Sequence, residues 1–185
     1  MKDKILIIDI ETTGFLNQGG KIVEVGIISL NLETGEKEIL FDSLVHERPI
    51  TLVEVENSWI VQNGYISVNE IRNSEWLPKL IPEIQSIIDS YPNGATAFNK
   101  SFDFDFLKSR GIKFVKELPC PMLLSTNLCK LPNQNGYSSY KWPKVEEAWK
   151  YFYPEIEYVE LHRGADDAFH EADIVLAIHK LGLFI

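Results

Sequence analysis

An apolar segment near the amino terminus, ending in two acids and a glycine, constrains the fold of this chain more than any other feature. Its sequence is Ile5-Leu6-Ile7-Ile8-Asp9-Ile10-Glu11-Thr12-Thr13-Gly14. The aliphatic run predicts a buried strand that turns at Gly14. Successive side chains of a strand point to opposite faces, so Asp9 and Glu11 share one face. Because neighbouring carboxylates repel each other, the pair indicates half of a metal site or, alternatively, two solvated acids at a strand end.

Length and composition restrict the class of protein. A chain of 185 residues is expected to form one domain, residues 1–185, without disulfides or structural zinc. Its apolar fraction of 45% and charged fraction of 24% are typical of an ordered globular protein. Cys120 and Cys129 lack Cys or His neighbours at zinc-like spacing, so we expect free thiols. The first strand begins almost at Met1 and no run spans a bilayer, so we expect no signal peptide, no membrane partner and a cytoplasmic location.

The net charge of −9 bears on nucleic-acid binding. A protein that grips long duplexes through their phosphates is usually basic over at least one face. Any nucleic acid is therefore expected to bind this chain locally, with metal ions supplying positive charge.

Hydrophobic periodicity and turn residues predict an α/β domain. Strands over 21–30 and 38–46 follow the first strand and complete an antiparallel meander. A capping box, Ser67-Val68-Asn69-Glu70, predicts a helix start, and Trp76 is expected on the buried face of the next helix. The order of elements predicts a mixed sheet, with the meander first and parallel strands after it, flanked by helices. The remaining predicted elements are helices over 75–90, 102–110, 144–153 and 164–180, strands over 95–99 and 113–118, and a loop over 131–140.

Two later segments also carry acids in unusual surroundings. In one, Asp103 and Asp105 lie among three phenylalanines, and helix position alone favours a dipole-stabilised Asp103 and a solvated Asp105. In the other, His162 precedes a helix whose first turn contains Asp166 and Asp167. Helix geometry alone favours Asp166 as the partner of His162, because residues i and i+4 share a face. The acids and histidine that follow, His170, Glu171 and Asp173, are expected to have no role in a site.

Together these segments resemble the three motifs of the DEDDh exonucleases, a family that includes the proofreading subunit of bacterial replicative DNA polymerase, oligoribonuclease and RNase T. The matching residues are Asp9-x-Glu11-Thr12-Thr13-Gly14, Asn99-x-x-Phe102-Asp103-x-x-Phe106-Leu107 and His162-x-x-x-x-Asp167-Ala168. The resemblance extends from residue 5 to about residue 181. It implies a ribonuclease H-like fold, and it selects Asp103 over Asp105 and Asp167 over Asp166.

The resemblance also implies roles for the motif residues. Asp9, Glu11, Asp103 and Asp167 are expected to bind two divalent cations, and His162, placed in the loop before the helix, is expected to be the general base. Four acids without a Cys or His cluster fit Mg²⁺ or Mn²⁺ better than zinc. An ordinary histidine, with a pKa of about 6.5, can accept a water proton at neutral pH. Nearby carboxylates are expected to raise that pKa, with bound metals offsetting them.

Substrate contacts are expected in three places. Thr12 and Thr13 would lie beside the terminal nucleotide, and Asn99 near the second motif. Tyr65 or Ile66 could stack on a base, although packing within the domain is equally compatible with the sequence. Two further candidates are Lys141 for a phosphate and Trp142 for a base, with core packing favoured for Trp142.

The predicted activity is therefore a metal-dependent 3′–5′ exonuclease that releases nucleoside 5′-monophosphates. Single-stranded or frayed 3′ ends are the expected substrate, with DNA favoured over RNA and a polymerase as a candidate partner chain. One alternative is an RNase T-like or oligoribonuclease-like enzyme that trims RNA. An alternative from a different class is a non-catalytic nucleic-acid-binding module, which the loss of a polar motif residue would favour; none is lost. The oligomeric state is left open.

Overall fold

The sheet of the computed structural model, which describes residues 3–133 and 139–185, is mixed. Three long strands, β1 (Lys4–Thr12), β2 (Ile22–Asn31) and β3 (Lys37–His46), form the predicted antiparallel meander. Two short strands extend it, since β4 (Glu75–Trp76) pairs in parallel with β3 and β5 (Ala95–Thr96) in parallel with β1. The order β4-β3-β2-β1-β5 confirms the predicted mixed sheet.

Helices cover both faces of this sheet. The capping box predicted at Ser67 is present, because the Ser67 hydroxyl accepts from the Glu70 amide at 3.2 Å and the Glu70 carboxylate accepts from the Ser67 amide at 2.8 Å. The last helix has the predicted bounds. The helices are α1 (Leu52–Glu56), α2 (Trp59–Gln62), α3 (Val68–Asn73), α4 (Leu77–Asp89), α5 (Lys100–Ser109), α6 (Pro121–Cys129), α7 (Val145–Phe152) and α8 (Gly164–Lys180), with a 3₁₀ turn at Leu16–Gln18.

The alternation of side chains along β1 determines where its acids lie. Ile5 and Ile7 pack in the apolar cluster that contains the buried side chains of α8, whereas Leu6 and Ile8 pack in the cluster of α4 and α5. By the same alternation, the odd-numbered acids of β1 belong to the face covered by α8. All residues of β2 from Ile22 to Leu30 are buried, which is typical of a strand covered on both faces.

Several elements differ from the prediction. The prediction that Trp76 lies on the buried face of a helix is wrong, since Trp76 lies in β4 with 41% of its surface exposed. The helix begins after it, with Pro78 in its first turn, a position where proline needs no amide partner. The strand predicted over 113–118 is reduced to one parallel bridge between Ala95 and Glu117. Helix α6 was not predicted; it begins at Pro121, a position where proline needs no amide partner.

Other expectations are settled within the described part of the chain. Cys120 and Cys129 are free, as predicted. The predicted loop over 131–140 includes residues 134–138, which lie outside the described residues. Across residues 3–133 and 139–185, no helix combines the length and apolar character needed to cross a bilayer.

Candidate active site

The end of β1 provides the first two acids of the candidate site. Asp9 and Glu11 are partly buried, and Glu11 lies directly opposite Glu24 of β2. The register shifts between Glu11 and Thr12, so the strand leaves the regular sheet just after its second acid. Thr12 donates from its hydroxyl to the Gly14 carbonyl at 3.0 Å, which fixes the turn beside the acids.

Helix α5 brings the third acid against this strand. Asp103 lies in the first turn of α5, is 3% exposed, and accepts a hydrogen bond from the Ile10 amide at 3.2 Å. Because Ile10 lies between Asp9 and Glu11, this bond places a third carboxylate beside the first two. Asp105 is exposed, as expected for the acid that the motif does not select.

Helix α8 supplies the fourth acid, and two glycines allow its close approach. A Cβ added to Gly26 of β2 would lie 2.1 Å from the carbonyl carbon of Gly164, so only glycine permits this packing. Asp167 is 1% exposed and accepts from the Tyr158 hydroxyl at 2.9 Å, the Leu161 amide at 3.3 Å and the Arg163 amide at 2.7 Å.

The loop before α8 carries His162 into the same place. His162 has a φ of +53°, in the left-handed region, and its Nδ1 lies 3.9 Å from Oε1 of Glu11. Glu11, His162 and Asp167 each offer one ligand atom, and these atoms lie within 4.8 Å of one another. The loop position predicted for His162 is therefore confirmed. Asp166 lies elsewhere, with its Oδ2 3.5 Å from Nδ1 of His170.

Burial and mutual repulsion dominate the electrostatics of these acids. Burial, followed by repulsion from Asp167 and Glu24, raises the pKa of Glu11 to about 9. Burial raises the pKa of Asp103 to about 8, although the hydrogen bond from Ile10 opposes the shift. The pKa of Asp9 is also raised well above its usual value, first by burial and then by Glu171. The ionised forms of these acids are therefore destabilised unless a cation lies beside them.

The imidazole behaves differently from the prediction. Burial is the largest influence and lowers the pKa of His162, outweighing the opposing effect of Asp167 and Glu146. The expected rise caused by neighbouring carboxylates is therefore wrong for this chain without metal. A lowered pKa leaves the ring neutral and able to accept a proton at pH 7.

Two additional acids were missed by the sequence analysis. Glu171 was expected to have no role in a site, yet it is 3% exposed and accepts from the Phe98 amide at 3.2 Å. Its position one helical turn after Asp167 was a usable signal, because such residues share a face. Glu160 lies in the loop before His162, and burial raises its pKa to about 7.

A cavity of about 400 Å³ adjoins Glu11 and lies beside Thr12 and Thr13, where the terminal nucleotide was expected. Trp59, at the start of α2, is 56% exposed and was not predicted as a site residue, because α2 is too short to show periodicity. Tyr65 stacks on Trp59 with ring centroids 5.3 Å apart, and both rings contact the His162 ring. The cavity is lined by Ile10, Glu11, Thr12, Thr13, Gly14, Phe15, Trp59 and Phe102.

The other residues predicted to contact the substrate differ in exposure and in their partners. Ile66 is 1% exposed within a small apolar cluster, so of its two alternatives the structure supports packing within the domain and contradicts stacking on a base. Trp142 is 65% exposed, so the core packing favoured for it is also wrong. Lys141 forms an ion pair with Glu147 at 2.5 Å, which leaves its cation already compensated. Asn99 is exposed immediately before α5, and its side chain makes no capping hydrogen bond.

The donor set fits a divalent metal site. Among the residues that the structure describes, no Lys or Arg forms an ion pair with Asp9, Glu11 or Asp103, although all three are close together. Carboxylate oxygens are the ligands that Mg²⁺ and Mn²⁺ prefer. A cation at this position would offset the burial and the repulsion that raise the pKa values.

Comparisons with known proteins identify the family of this chain. Residues 6–175 match the family model RNase_T, described as an exonuclease. The PolC-type DNA polymerase III of Clostridium perfringens is 25% identical over 176 residues, covering 94% of this chain and 11% of the polymerase. Its counterpart from Caldanaerobacter subterraneus subsp. tengcongensis is 24% identical over 181 residues, covering 95% and 12%. The chain thus spans only a small part of the curated relatives it matches.

Solved structures share the fold. The nuclease domain of 3′hExo, a DEDDh family member bound to rAMP, has a TM-score of 0.68 at 18% identity, covering 98% of this chain and 94% of that one. E. coli exonuclease I in complex with a dA16 oligonucleotide has a TM-score of 0.65 at 14% identity, covering 96% and 41%. Enzymes of this family generally use divalent metal ions. Because the family model spans nearly the whole chain, this chain belongs to the RNase_T exonuclease family, as a 3′–5′ exonuclease domain of the DEDDh type.

Proposed function

We propose that this chain hydrolyses the terminal phosphodiester bond at single-stranded or frayed 3′ ends of DNA and releases nucleoside 5′-monophosphates. The observation that carries the proposal is the convergence of four carboxylates, from β1, α5 and the first turn of α8, with one imidazole from the loop before α8. Burial, followed by repulsion from Glu171, Asp103, Glu11 and Asp167, raises the pKa of Asp9. Such a set is suited to phosphodiester hydrolysis, because negative charge accumulates on the phosphate during the reaction.

The four carboxylates, Asp9, Glu11, Asp103 and Asp167, are proposed to hold two divalent cations, Mg²⁺ or Mn²⁺. Cations of this kind lower the pKa of water and neutralise charge that develops on the phosphate. The role of the carboxylates is to bind and orient the cations, and the raised pKa values of Glu11 and Asp103, caused first by burial, support this role because a bound cation would stabilise their ionised forms.

His162 is proposed to accept the proton of the attacking water on the ring nitrogen that faces Glu11. Its ring is neutral at pH 7, because burial lowers its pKa. Trp59 and Tyr65 contact the ring edge-on, with centroids 4.7 and 4.3 Å away, and restrict its rotation. General-base catalysis of this kind is worth about 10²–10⁴-fold in rate.

The terminal base is proposed to enter the cavity between Trp59, Phe15 and Phe102, beside Thr12 and Thr13. Phe15 and Trp59 are 62% and 56% exposed, so their rings are available for stacking. Stacking of a base on an aromatic side chain contributes about 1–3 kcal/mol and tolerates any base. This mode of binding suits a net acidic chain, since it does not depend on a basic surface.

The preference for DNA rests on the relatives. The matched curated proteins are DNA polymerases, and E. coli exonuclease I was solved with a DNA oligonucleotide. A polymerase is therefore the proposed partner, whether as a separate chain or as part of a longer one. RNA trimming is the second candidate, because the nuclease domain of 3′hExo was solved with rAMP.

A digestion assay tests the proposal. Matched single-stranded DNA and RNA oligonucleotides, each with a free or blocked 3′ end, are incubated with Mg²⁺, Mn²⁺ or EDTA. We expect mononucleotide release from the free DNA end with either metal, slower release from RNA, and none with EDTA. Equal cleavage of blocked ends, or cleavage in EDTA, would contradict the exonuclease mechanism. Faster release from RNA would favour the second candidate.

A further inference from the structure

The proposed general base lies in a backbone conformation that is unfavourable by itself. His162 has a φ of +53°, in a backbone region that residues other than glycine rarely adopt. Strained conformations of this kind persist only where the surrounding structure over-determines them. The contacts on either side of His162 therefore decide where its imidazole lies.

One set of these contacts comes from the site itself. The amides of Leu161 and Arg163, which flank His162, both donate to the Asp167 carboxylate, at 3.3 and 2.7 Å. These bonds fix the ends of the His162 peptide unit to α8. They do not tie the loop to the sheet that carries Glu11.

A second set of contacts makes that connection through residues that the three motifs do not specify. Glu24, on β2, is 1% exposed and accepts from Nε of Arg163 at 3.0 and 3.1 Å and from Nη2 at 2.9 Å. The Gly164 amide donates to the same carboxylate at 3.3 Å. Glu24 thus holds the two residues that directly follow His162, and Glu24 itself lies opposite Glu11.

Stability alone does not explain this ion pair. Burying a carboxylate is unfavourable, and apolar residues of similar volume often replace a buried ion pair without loss of stability. Two parallel hydrogen bonds from a guanidinium instead impose a fixed direction and distance. The pair therefore supplies orientation between β2 and the loop rather than cohesion.

We propose that Glu24 and Arg163 are positioning residues of the reaction, which hold His162 beside Glu11 by anchoring the following residues to β2. The inference rests on the proposed role of His162 as the base. The Glu24 carboxylate and the Arg163 guanidinium do not line the cavity and offer no ligand atom to the cluster of Glu11, His162 and Asp167, so we assign their effect to the position of the histidine.

Conservative variants test this proposal in the full chain. Arg163→Lys keeps the charge but removes the two-pronged geometry, and Glu24→Gln keeps the shape but removes the charge. Arg110→Lys is the matched control, because Arg110 makes a similar pair with Glu47, at 2.7 and 2.8 Å, away from His162. Each variant is assayed for kcat and KM on a single-stranded DNA oligonucleotide with Mn²⁺, and for thermal unfolding.

We expect Arg163→Lys and Glu24→Gln to lower kcat about 10- to 100-fold with KM nearly unchanged, as for other groups that orient a reacting residue. Arg110→Lys should keep the wild-type kcat. Introduced into a His162→Ala chain, Arg163→Lys should cause no further loss, because residues that act as one unit are non-additive. A raised KM at unchanged kcat, or a further loss in the His162→Ala chain, would overturn the positioning role.

Amide hydrogen exchange gives a second readout that needs no activity. In Arg163→Lys, the amides of residues 161–164 should exchange faster than in the wild type, while those of β1 stay unchanged; equal exchange would contradict the anchor. Failure of the proposed function can be distinguished from failure of the positioning role. A His162→Ala chain with full activity would overturn the base, whereas an impaired His162→Ala with a fully active Arg163→Lys would overturn the positioning role alone.

Discussion

Two glutamates that face each other across β1 and β2 have opposite surroundings. Glu24 is buried with the guanidinium of Arg163 beside it, and these hydrogen bonds oppose the rise that burial causes in its pKa. Glu11 lies among Asp167, Glu24 and Asp103, and its pKa is raised to about 9. In the described ranges, no Lys or Arg pairs with Glu11. The comparison teaches that the sheet compensates the acid that anchors the loop carrying His162 and leaves uncompensated the acid that is proposed to bind a metal.

The largest effect is expected at the metal ligands. Asp167→Asn should lower kcat by about 10³-fold or more, because a neutral amide holds a divalent cation poorly and metal assistance is worth several kcal/mol. Asp166→Asn is the matched control and should retain activity, since Asp166 contacts His170 instead. The measurement is exonuclease turnover with Mg²⁺. Equal losses in the two variants would contradict the choice of Asp167.

The next effect concerns the base. His162→Ala should lower turnover by about 10²–10⁴-fold while leaving oligonucleotide binding largely intact. Single-turnover kinetics and fluorescence anisotropy separate the two quantities. Full activity in this variant would reject the role of His162.

Stability measurements in EDTA test the contrast between the two glutamates directly. Arg163→Met should lower the free energy of unfolding by about 2–3 kcal/mol, because Glu24 becomes an unpaired buried charge; the partial exposure of Arg163 keeps the loss below the usual cost of breaking a buried pair. Glu11→Gln should instead raise it, by more than about 1 kcal/mol at pH 8, because it removes a charge that the fold disfavours. Urea unfolding checks both. Destabilisation by Glu11→Gln would contradict the conclusion that Glu11 is uncompensated.

The raised pKa values also predict a pH dependence without metal. Glu11 and Asp103 have folded-state pKa values of about 9 and about 8, above those of the unfolded chain. Groups raised in this way bind more protons when folded, so the free energy of unfolding should fall as pH rises from about 5 to 9. Saturating Mg²⁺ should flatten this slope. A rise over the same pH range in EDTA would contradict the prediction.

The smallest effect is expected at Trp142. Because 65% of its surface is exposed, Trp142→Ala should change the free energy of unfolding by less than about 0.5 kcal/mol. A loss of several kcal/mol in urea unfolding would restore the core role that the sequence favoured.

Strong local patterns predicted the parts of the molecule that they determine. Strand β1 and helix α8 follow from apolar runs and periodicity, and the motif acids Asp103 and Asp167 are both buried, as a site requires. The exposure of Trp59 and the burial of Ile66 were harder to predict, because both lie in a non-periodic segment where only tertiary packing decides which side chain is exposed. The Glu24–Arg163 pair joins residues 139 positions apart, a separation over which a single sequence shows no pairing signal.

Calorimetric titration of Mn²⁺ into the metal-free chain tests the central contrast most directly. At pH 7, in buffers of different ionisation enthalpy, we expect two Mn²⁺ ions per wild-type chain, with proton release as the acids of raised pKa ionise. Glu11→Gln should weaken binding and release fewer protons, whereas Arg110→Lys should match the wild type. Absence of binding, or binding without proton release, would contradict the conclusion that the uncompensated acids of β1 and α5 form a metal site.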